Sequence, residues 1–374
     1  MTTTKNNEHK KLNVPNLRFP EFQGEWEKCI LGDITENFNL RNKDKIQYPM
    51  FSVTNDRGFV PQSEQFEGRD MVGEDIKAYK IIHTNDFAYN PARINVGSIA
   101  MYTGEKPCMI SSLYVCFKTT KEVNNEWLMQ LLKTPKMNYY YNVNGEGGVR
   151  VYLFYPNFAR IRMSIPKIEE QKKIAKLLNL IDERIATQNK IIDKLQSLIK
   201  GIGKQLFMDN QNWRTVKIGE LLRIGNGKDY KHLCIGKIPV YGTGGQMLLV
   251  NDYLYDGESV CIGRKGTIDT PMFLKGKFWT VDTLFYTYDF KDVLPKFCYY
   301  LFLQINWKLY NEGTGVPSLS KSTIENIKVK IPSLEQQQKI CSILDCYEHK
   351  TNNEEQILEL YHSEKQYLLR QTFI

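Results

Sequence analysis

The run Ile262-Gly263-Arg264-Lys265-Gly266 places two cations between two glycines, directly after an apolar β-type stretch. Adjacent arginine and lysine on such a tip can enter a groove without steric conflict. Arg264 can pair bidentately with guanine, while Lys265 suits a phosphate. The opposing reading is a solvated hairpin tip. Gly225-Asn226-Gly227-Lys228 falls short of a nucleotide-binding P-loop: Leu222 stands where a glycine is needed, and Asp229 replaces Ser or Thr. Two readings fit that turn, a plain surface turn or a close backbone approach to a nucleic-acid phosphate with Lys228 and Lys231 supplying charge. Tyr241, Gly244, Gly245 and Gln246 form a third group, since glutamine can read adenine through two hydrogen bonds. Two glycine-rich loops, residues 145–150 and 313–321, carry Arg150 and Lys321. Each is either a loop that follows a nucleic-acid backbone or a tight turn that the fold requires.

Catalytic chemistry finds little support. No Ser/His/Asp grouping or carboxylate pair stands out. The five histidines lie far apart, without metal-ligand spacing. The eight cysteines contain no CxxC pair and read as reduced, mostly buried small hydrophobes. A stand-alone adenine methyltransferase would need an (Asp/Asn/Ser)-Pro-Pro-aromatic motif. Asn90-Pro91-Ala92-Arg93 lacks the second proline and the aromatic, and reads as a turn closing a strand. The expectation is no catalytic residue, no metal and no cofactor in this chain.

The chain of 374 residues is long enough for two domains plus connectors. Apolar content of 42% and charged content of 25% are ordinary for a globular protein. A net charge of +8 favours a polyanionic partner only slightly. No run approaches the ~18 apolar residues of a membrane span. The polar stretch 1–11 lacks a signal-peptide core. A cytoplasmic protein without a membrane partner is expected.

The elements that must position these loops are duplicated. Ile165-Pro166-Lys167-Ile168-Glu169-Glu170-Gln171 returns as Ile331-Pro332-Ser333-Leu334-Glu335-Gln336-Gln337, each opening a long helical pattern. Trp26 and Gly32 are answered by Trp213 and Gly219 at the same spacing. Ile174, Leu178, Ile181, Ile185, Gln188, Ile192, Leu195, Ile199, Ile202 and Leu206 keep 4,3 spacing, a heptad seam held over a helix of about 40 residues. The second helix offers Ile340, Leu344, Tyr347, Thr351, Glu354, Leu358, Tyr361, Lys365, Leu368 and Thr372, with Ile343, Ile357 and Leu369 widening the stripe. Such helices need partners, and each is expected to pack antiparallel on the other, with Gln188 and Glu354 as a central polar layer fixing register. Gly201 and Gly203 should weaken the last turns of the first helix. Between the repeats, short β-type runs alternate with turn clusters and with helical stretches at residues 125–138 and 294–310. The fold class expected is α/β in the mixed α+β sense. Two globular domains with mixed sheets are joined by two antiparallel helices forming a coiled coil, related by pseudo-two-fold symmetry. The expected boundaries are a disordered lead-in 1–14, domains 15–166 and 209–332, and helices 167–208 and 333–374.

The duplicated I-P-x-x-E-x-Q opening, the W-x5-G starts and the glycine-rich loop before each helix together resemble the specificity (S) subunit of type I restriction-modification systems. Asn226 to Tyr230, Ile238 to Gly245, Ile262 to Ile268 and Val281 to Phe285 look like one variety of that family's target recognition domain. The resemblance runs from about Pro15 onward. It implies two recognition domains, each binding half of a bipartite double-stranded DNA sequence, and helices that act as a spacer. It implies that modification subunits, two of them, methylate adenine with S-adenosylmethionine, and that a restriction subunit with motor and nuclease activity uses ATP and magnesium. Within that family frame Arg93 lies near the DNA-facing side and is a candidate phosphate contact. The third reading of the chain is a duplicated helical scaffold without a DNA role.

Overall fold

The computed structural model describes residues 12–65, 76–147, 151–208 and 212–374. The chain divides into two compact units, residues 1–187 with 358–374, and residues 188–357. Unit 1 holds β1 (Glu27–Ile30), α1 (Leu31–Ile34), β2 (Thr35–Phe38), β3 (Phe51–Thr54), β4 (Gly58–Pro61), α2 (Gln62–Gln65), β5 (Lys80–Ile82), β6 (Phe87–Tyr89), β7 (Ile99–Met101), β8 (Cys108–Ile110), β9 (Val115–Thr119), α3 (Asn125–Leu132), α4 (Pro135–Asn144), α5 (Tyr155–Ala159), β10 (Arg162–Ile165) and the first half of α6 (Ile168–Met208). Unit 2 holds the rest of α6, then β11 (Arg214–Lys217), α7 (Ile218–Leu221), β12 (Arg223–Asn226), β13 (Ile235–Gly242), β14 (Gly245–Val250), β15 (Tyr255–Gly263), β16 (Met272–Thr280), β17 (Leu284–Tyr288), α8 (Pro295–Gln304), α9 (Lys321–Asn326), β18 (Lys328–Ile331) and the first part of α10 (Leu334–Thr372). The main sheet of unit 1 is antiparallel in the order β2-β9-β6-β7. That of unit 2 runs β12-β17-β15-β16-β13-β14 and is mixed, since β13 and β16 pair in parallel.

The sequence repeat has a structural meaning. In unit 1, β1 pairs antiparallel with β10, Glu27 facing Ile165. In unit 2, β11 pairs antiparallel with β18, Arg214 facing Ile331. Each ladder returns the chain to the start of a long helix. The repeated glycine lies where two short helices touch. A Cβ on Gly32 would fall 3.1 Å from Ala159 Cβ of α5, and one on Gly219 would fall 3.0 Å from Glu325 Cβ of α9. The repeated tryptophan packs on the helix behind it, Trp26 against Trp127 of α3 and Trp213 against Phe297 of α8.

The buried glutamine of each repeat ties these parts together. Gln171 Nε2 donates to the carbonyls of Pro166 (2.9 Å) and Glu122 (3.0 Å), and its Oε1 accepts from Asn124 N–H (2.7 Å). Gln337 Nε2 donates to the carbonyls of Pro332 (3.1 Å) and Asp292 (3.0 Å), and its Oε1 accepts from Leu294 N–H (2.8 Å). Asn124 and Leu294 are the N-cap residues of α3 and α8. One amide thus joins the start of the long helix to the start of the domain helix. Both side chains are fully enclosed, so every polar atom of the amide needs a partner.

Along α6, Ile174, Leu178, Ile181, Gln188, Ile192 and Leu195 are buried, while Ile185, Ile199, Ile202 and Leu206 are half-buried. The matching face of α10 is likewise covered, with Ile340, Leu344, Thr351, Leu368 and Thr372 buried and Tyr347, Glu354, Leu358, Tyr361 and Lys365 half-buried. Within unit 2 the two helices run antiparallel: Gln188 meets Glu354, while Ile202 and Leu206 line a cleft with Ile340, Ile343 and Tyr347. Gln188 Nε2 donates to Glu354 Oε2 (2.6 Å) and to its carbonyl (3.0 Å). Within unit 1, Asp182 pairs with Lys365, and Leu178 shares a core with Leu368 and Phe373.

Several expectations change. The helical stretch 125–138 is two helices, because Lys133 closes α3 and Pro135, lacking an N–H, opens α4 behind the cap Thr134. The stretch 294–310 breaks after Gln304, and Trp307–Tyr310 forms a separate 3₁₀ turn. Ile343 and Ile357 do not widen the buried stripe; they are 42% and 37% exposed. Gly201 and Gly203 stay helical, and Gly203 lies against the Gln304 amide where a larger residue would crowd it. Residues 1–11 and 209–211 lie outside the described residues. Asn13, within the expected lead-in, is fastened by its side chain to the Trp26 carbonyl at 2.6 Å. Five of the eight cysteines are buried and only Cys234 and Cys346 are exposed; burial pushes the Cys116 and Cys261 thiols up to about 12.

Gln171→Ala should lower the stability of unit 1 by about 3 kcal/mol, because it strands one N–H and two carbonyls in the interior. Chemical denaturation checks this, and a loss under about 1 kcal/mol would mean that water takes over the amide's bonds. Replacing Gln188 and Glu354 together by Leu should raise stability by about 1 kcal/mol, since a desolvated polar layer gives way to apolar packing. A large loss in the double variant would show that the layer is a net stabiliser.

Candidate nucleic-acid interface

At one end of the unit 2 sheet, four chain segments meet. The tip after β15 is held by Arg264 N–H and Lys265 N–H, both donating to the Thr283 carbonyl (2.8 and 3.3 Å). Gly263 is required there, since a Cβ would fall 2.0 Å from the Thr267 carbonyl oxygen. The glycine-rich loop is stapled to this tip: Leu319 N–H donates to the Arg264 carbonyl (2.9 Å) and Gly266 N–H to the Pro317 carbonyl (2.8 Å). Lys321 follows at once as the first residue of α9, behind the cap Ser320. Asn226, at the end of β12, lines a shallow cleft of about 430 Å³ with Arg264, Lys265, Phe285 and Lys321. The β13–β14 hairpin reaches the same end, with Thr243 Oγ1 beside Gly266.

The other candidates of unit 2, Lys228, Lys231, Tyr241 and Gln246, do not line this cleft. Lys228 N–H donates to the Thr280 carbonyl (2.9 Å), and Trp279 Nε1 donates to the Lys228 carbonyl (2.8 Å). These bonds fix the turn while the Lys228 side chain stays exposed. Gly227 lets the turn press on the sheet, where a Cβ would lie 1.9 Å from the Val281 carbonyl oxygen. Lys231 and Gln246 are exposed. Tyr241 faces Gln246 across the hairpin and is half-buried against the apolar cluster of Cys261, Leu274, Phe278 and Leu284.

Charge at this end is positive and uncommitted. Among the described residues, the ion pairs of unit 2 use Arg214, Arg223, Lys275, Lys296, Lys308 and Lys339, and none of Lys228, Lys231, Arg264, Lys265 and Lys321. The one carboxylate lining the cleft, Glu312, accepts from the Thr323 and Ser320 hydroxyls, which hold its carboxyl below the usual range. Arg264 lies 6.0 Å over the Phe285 ring, which steers the guanidinium without neutralising it.

Unit 1 repeats the staple with different residues. The turn after β6, Asn90-Pro91-Ala92-Arg93, is closed by the Asn90 side chain accepting from Ala92 N–H (3.0 Å). Leu153 N–H donates to the Pro91 carbonyl (2.9 Å), the counterpart of Leu319 on Arg264. Glu146 and Tyr152 exchange two backbone bonds of 2.8 Å across the base of the glycine-rich loop. Arg93 is exposed beside this junction. Arg150 lies outside the described residues. Sequence reasoning named Asn226 within two motifs without giving it a role, and did not single out the exposed pair Tyr152 and Phe154, whose rings stack at 6.3 Å next to the same loop. The available signal was their place beside the glycine runs.

Among the described residues, no group of three or more His, Cys, Asp or Glu is arranged to hold a metal ion. Among them, too, no helix is long and apolar enough to cross a membrane.

Comparison with known proteins agrees in both sequence and fold. The model of the type I restriction modification DNA specificity domain matches twice, over residues 23–197 and 210–360. The chain is 24% identical to the putative type I restriction enzyme MjaX specificity subunit of Methanocaldococcus jannaschii, over 93% of this chain and 94% of that one. It is 24% identical to the MjaVIII specificity subunit of the same organism, over 91% and 90%. The fold is similar to a crystal structure of a type I restriction-modification S subunit from M. genitalium, with a TM-score of 0.62 and 16% identity, over 96% of this chain and 99% of that one. Two matched repeats and two copies of one stapled architecture lead to one conclusion: the chain belongs to the family of type I restriction-modification specificity subunits.

Proposed function

We propose that this chain brings a modification complex to a double-stranded DNA sequence made of two separated parts, reading one part with each unit. The observation that carries this reading is the repeated staple. In both units a strand-end turn bearing an exposed cation accepts a backbone hydrogen bond from a leucine that lies between the glycine-rich run and a short helix. Cations without carboxylate partners keep their full attraction for phosphate. In this reading Arg264 reads a base, with Gln246 as a second reader. Lys228, Lys231, Lys265, Lys321, Arg93 and Arg150 bind the backbone. Tyr241 supports the hairpin beside them.

The paired long helices set the distance between the two half-sites. Two modification subunits dock on them and methylate adenine using S-adenosylmethionine. A restriction subunit joins that assembly and uses ATP and magnesium. This chain supplies recognition and positioning, holds no cofactor of its own, and works in the cytoplasm with the DNA.

The deciding experiment is a genome-wide adenine methylation map with and without the gene. Loss of methylation at one gapped motif is expected; an unchanged map in a host with an active modification subunit would overturn the reading. Arg264→Ala should cost about 1–3 kcal/mol on the cognate half-site and relax choice at one base. Lys228→Ala should weaken binding to all sequences and lower the salt slope by about 1. Titration of variant complexes across salt concentrations separates the two effects, and intact affinity and target choice in both variants would reduce these tips to surface turns.

A further inference from the structure

Helices α3 and α8 rest on the two long helices at matching places but with different chemistry. In unit 1, Glu126 and Gln130 stand two and six residues past the cap Asn124. Gln130 Nε2 donates to Asn179 Oδ1 (3.0 Å) and Asp182 Oδ2 (2.9 Å), and Asn179 Nδ2 donates to Glu126 Oε2 (2.9 Å). In unit 2, Lys296 and Tyr300 stand at the same two distances past the cap Leu294. Lys296 Nζ pairs with Glu348 (2.6 Å) and Asp345 (3.6 Å), and the Tyr300 hydroxyl donates to Asp345 (2.6 Å) and Glu348 (3.1 Å). Counted from the buried glutamines Gln171 and Gln337, Asn179 corresponds to Asp345, and Asp182 to Glu348. One seat therefore joins a carboxylate and an amide on the domain to an amide and a carboxylate on the long helix. The other joins an ammonium to two carboxylates.

The two seats differ in charge. A domain carrying Glu126 on the seat of α10 would bring a third carboxylate to Asp345 and Glu348. A domain carrying Lys296 on the seat of α6 would find Asp182 already paired with Lys365 and close to Lys133. Like charges in partly desolvated positions oppose both exchanges. Within unit 2 the seat is further shaped by aromatics, since Lys296 Nζ lies 4.7 Å from the Phe273 ring and 4.9 Å from that of Tyr299.

We propose that these two seats form a matching code. Each assigns its recognition domain to its own long helix, and each fixes the angle at which the domain is presented. Lys296, Asp345 and Glu348 are positioning residues in this scheme, and so are Glu126, Asn179 and Asp182. The assignment stands on the contacts alone; its consequence for DNA rests on the reading above.

The test uses the full chain with K296M, K296E and the triple variant K296E/D345N/E348Q. K296M removes the charge and keeps a stem over the aromatics. K296E imports the carboxylate of the other seat, and the triple variant adds amides to receive it. In thermal unfolding, K296E should melt roughly 4 °C below K296M, and the triple variant should regain most of that gap. Recovery of folded chain by D345N/E348Q counts as the same result where K296E alone accumulates poorly. Equal melting of K296E and K296M, or no gain in the triple variant, would overturn the matching code. In the assembled complex, K296M should also methylate sites whose gap differs by one base pair, with unchanged half-site bases. Uniformly weaker methylation at an unaltered gap would overturn the angle-setting role. If the wild-type chain directs no gapped methylation at all, the functional reading fails, and the melting order still decides the code.

Discussion

One buried amide at the head of each long helix carries the organisation of the chain. Gln171 and Gln337 use both ends of the side chain, accepting at the start of a domain helix and donating to two loop carbonyls. Glutamine suits this place because it offers a donor and an acceptor on one arm, without a charge that would need burial. The ladders β1–β10 and β11–β18 end at these points, so strand, domain helix and long helix share one origin. A shift of one residue there would displace every contact downstream on the helix face.

From that origin the charged and polar seats of α3 and α8 follow at fixed helical spacing. The long helix then leaves the domain with a set direction. The same construction places the strand-end turn and the glycine-rich loop side by side. The backbone bond they share, Leu153 to Pro91 in one unit and Leu319 to Arg264 in the other, keeps its leucine donor while the accepting residue changes. Backbone hydrogen bonds do not depend on residue identity, so the loops are free to vary while their placement is kept. Recognition can diverge between the units on a frame that stays constant.

The sheets above this frame differ between the units. Unit 1 has a four-stranded antiparallel sheet and unit 2 a six-stranded mixed one. The parallel pairing of β13 with β16 joins the β13–β14 hairpin to the sheet, and Thr243 at its turn lies beside Gly266 of the tip.

The sequence alone determined the duplication, the long helices and the seam, because helical periodicity and a repeated motif are local signals that one chain carries openly. Gln188 and Glu354 were legible as odd polar entries in that seam, and the glycine-flanked cations as exposed tips. Only the tertiary structure decided what met what. The staple is made of backbone groups, which leave no trace in residue types. The seats join residues far apart in sequence, so Glu126 with Asn179 and Lys296 with Glu348 looked like ordinary surface residues. The break at Pro135 and the exposure of Ile343 and Ile357 likewise turned on neighbours rather than on pattern. Periodicity states which face of an element is apolar; which surface covers that face is settled by long-range packing.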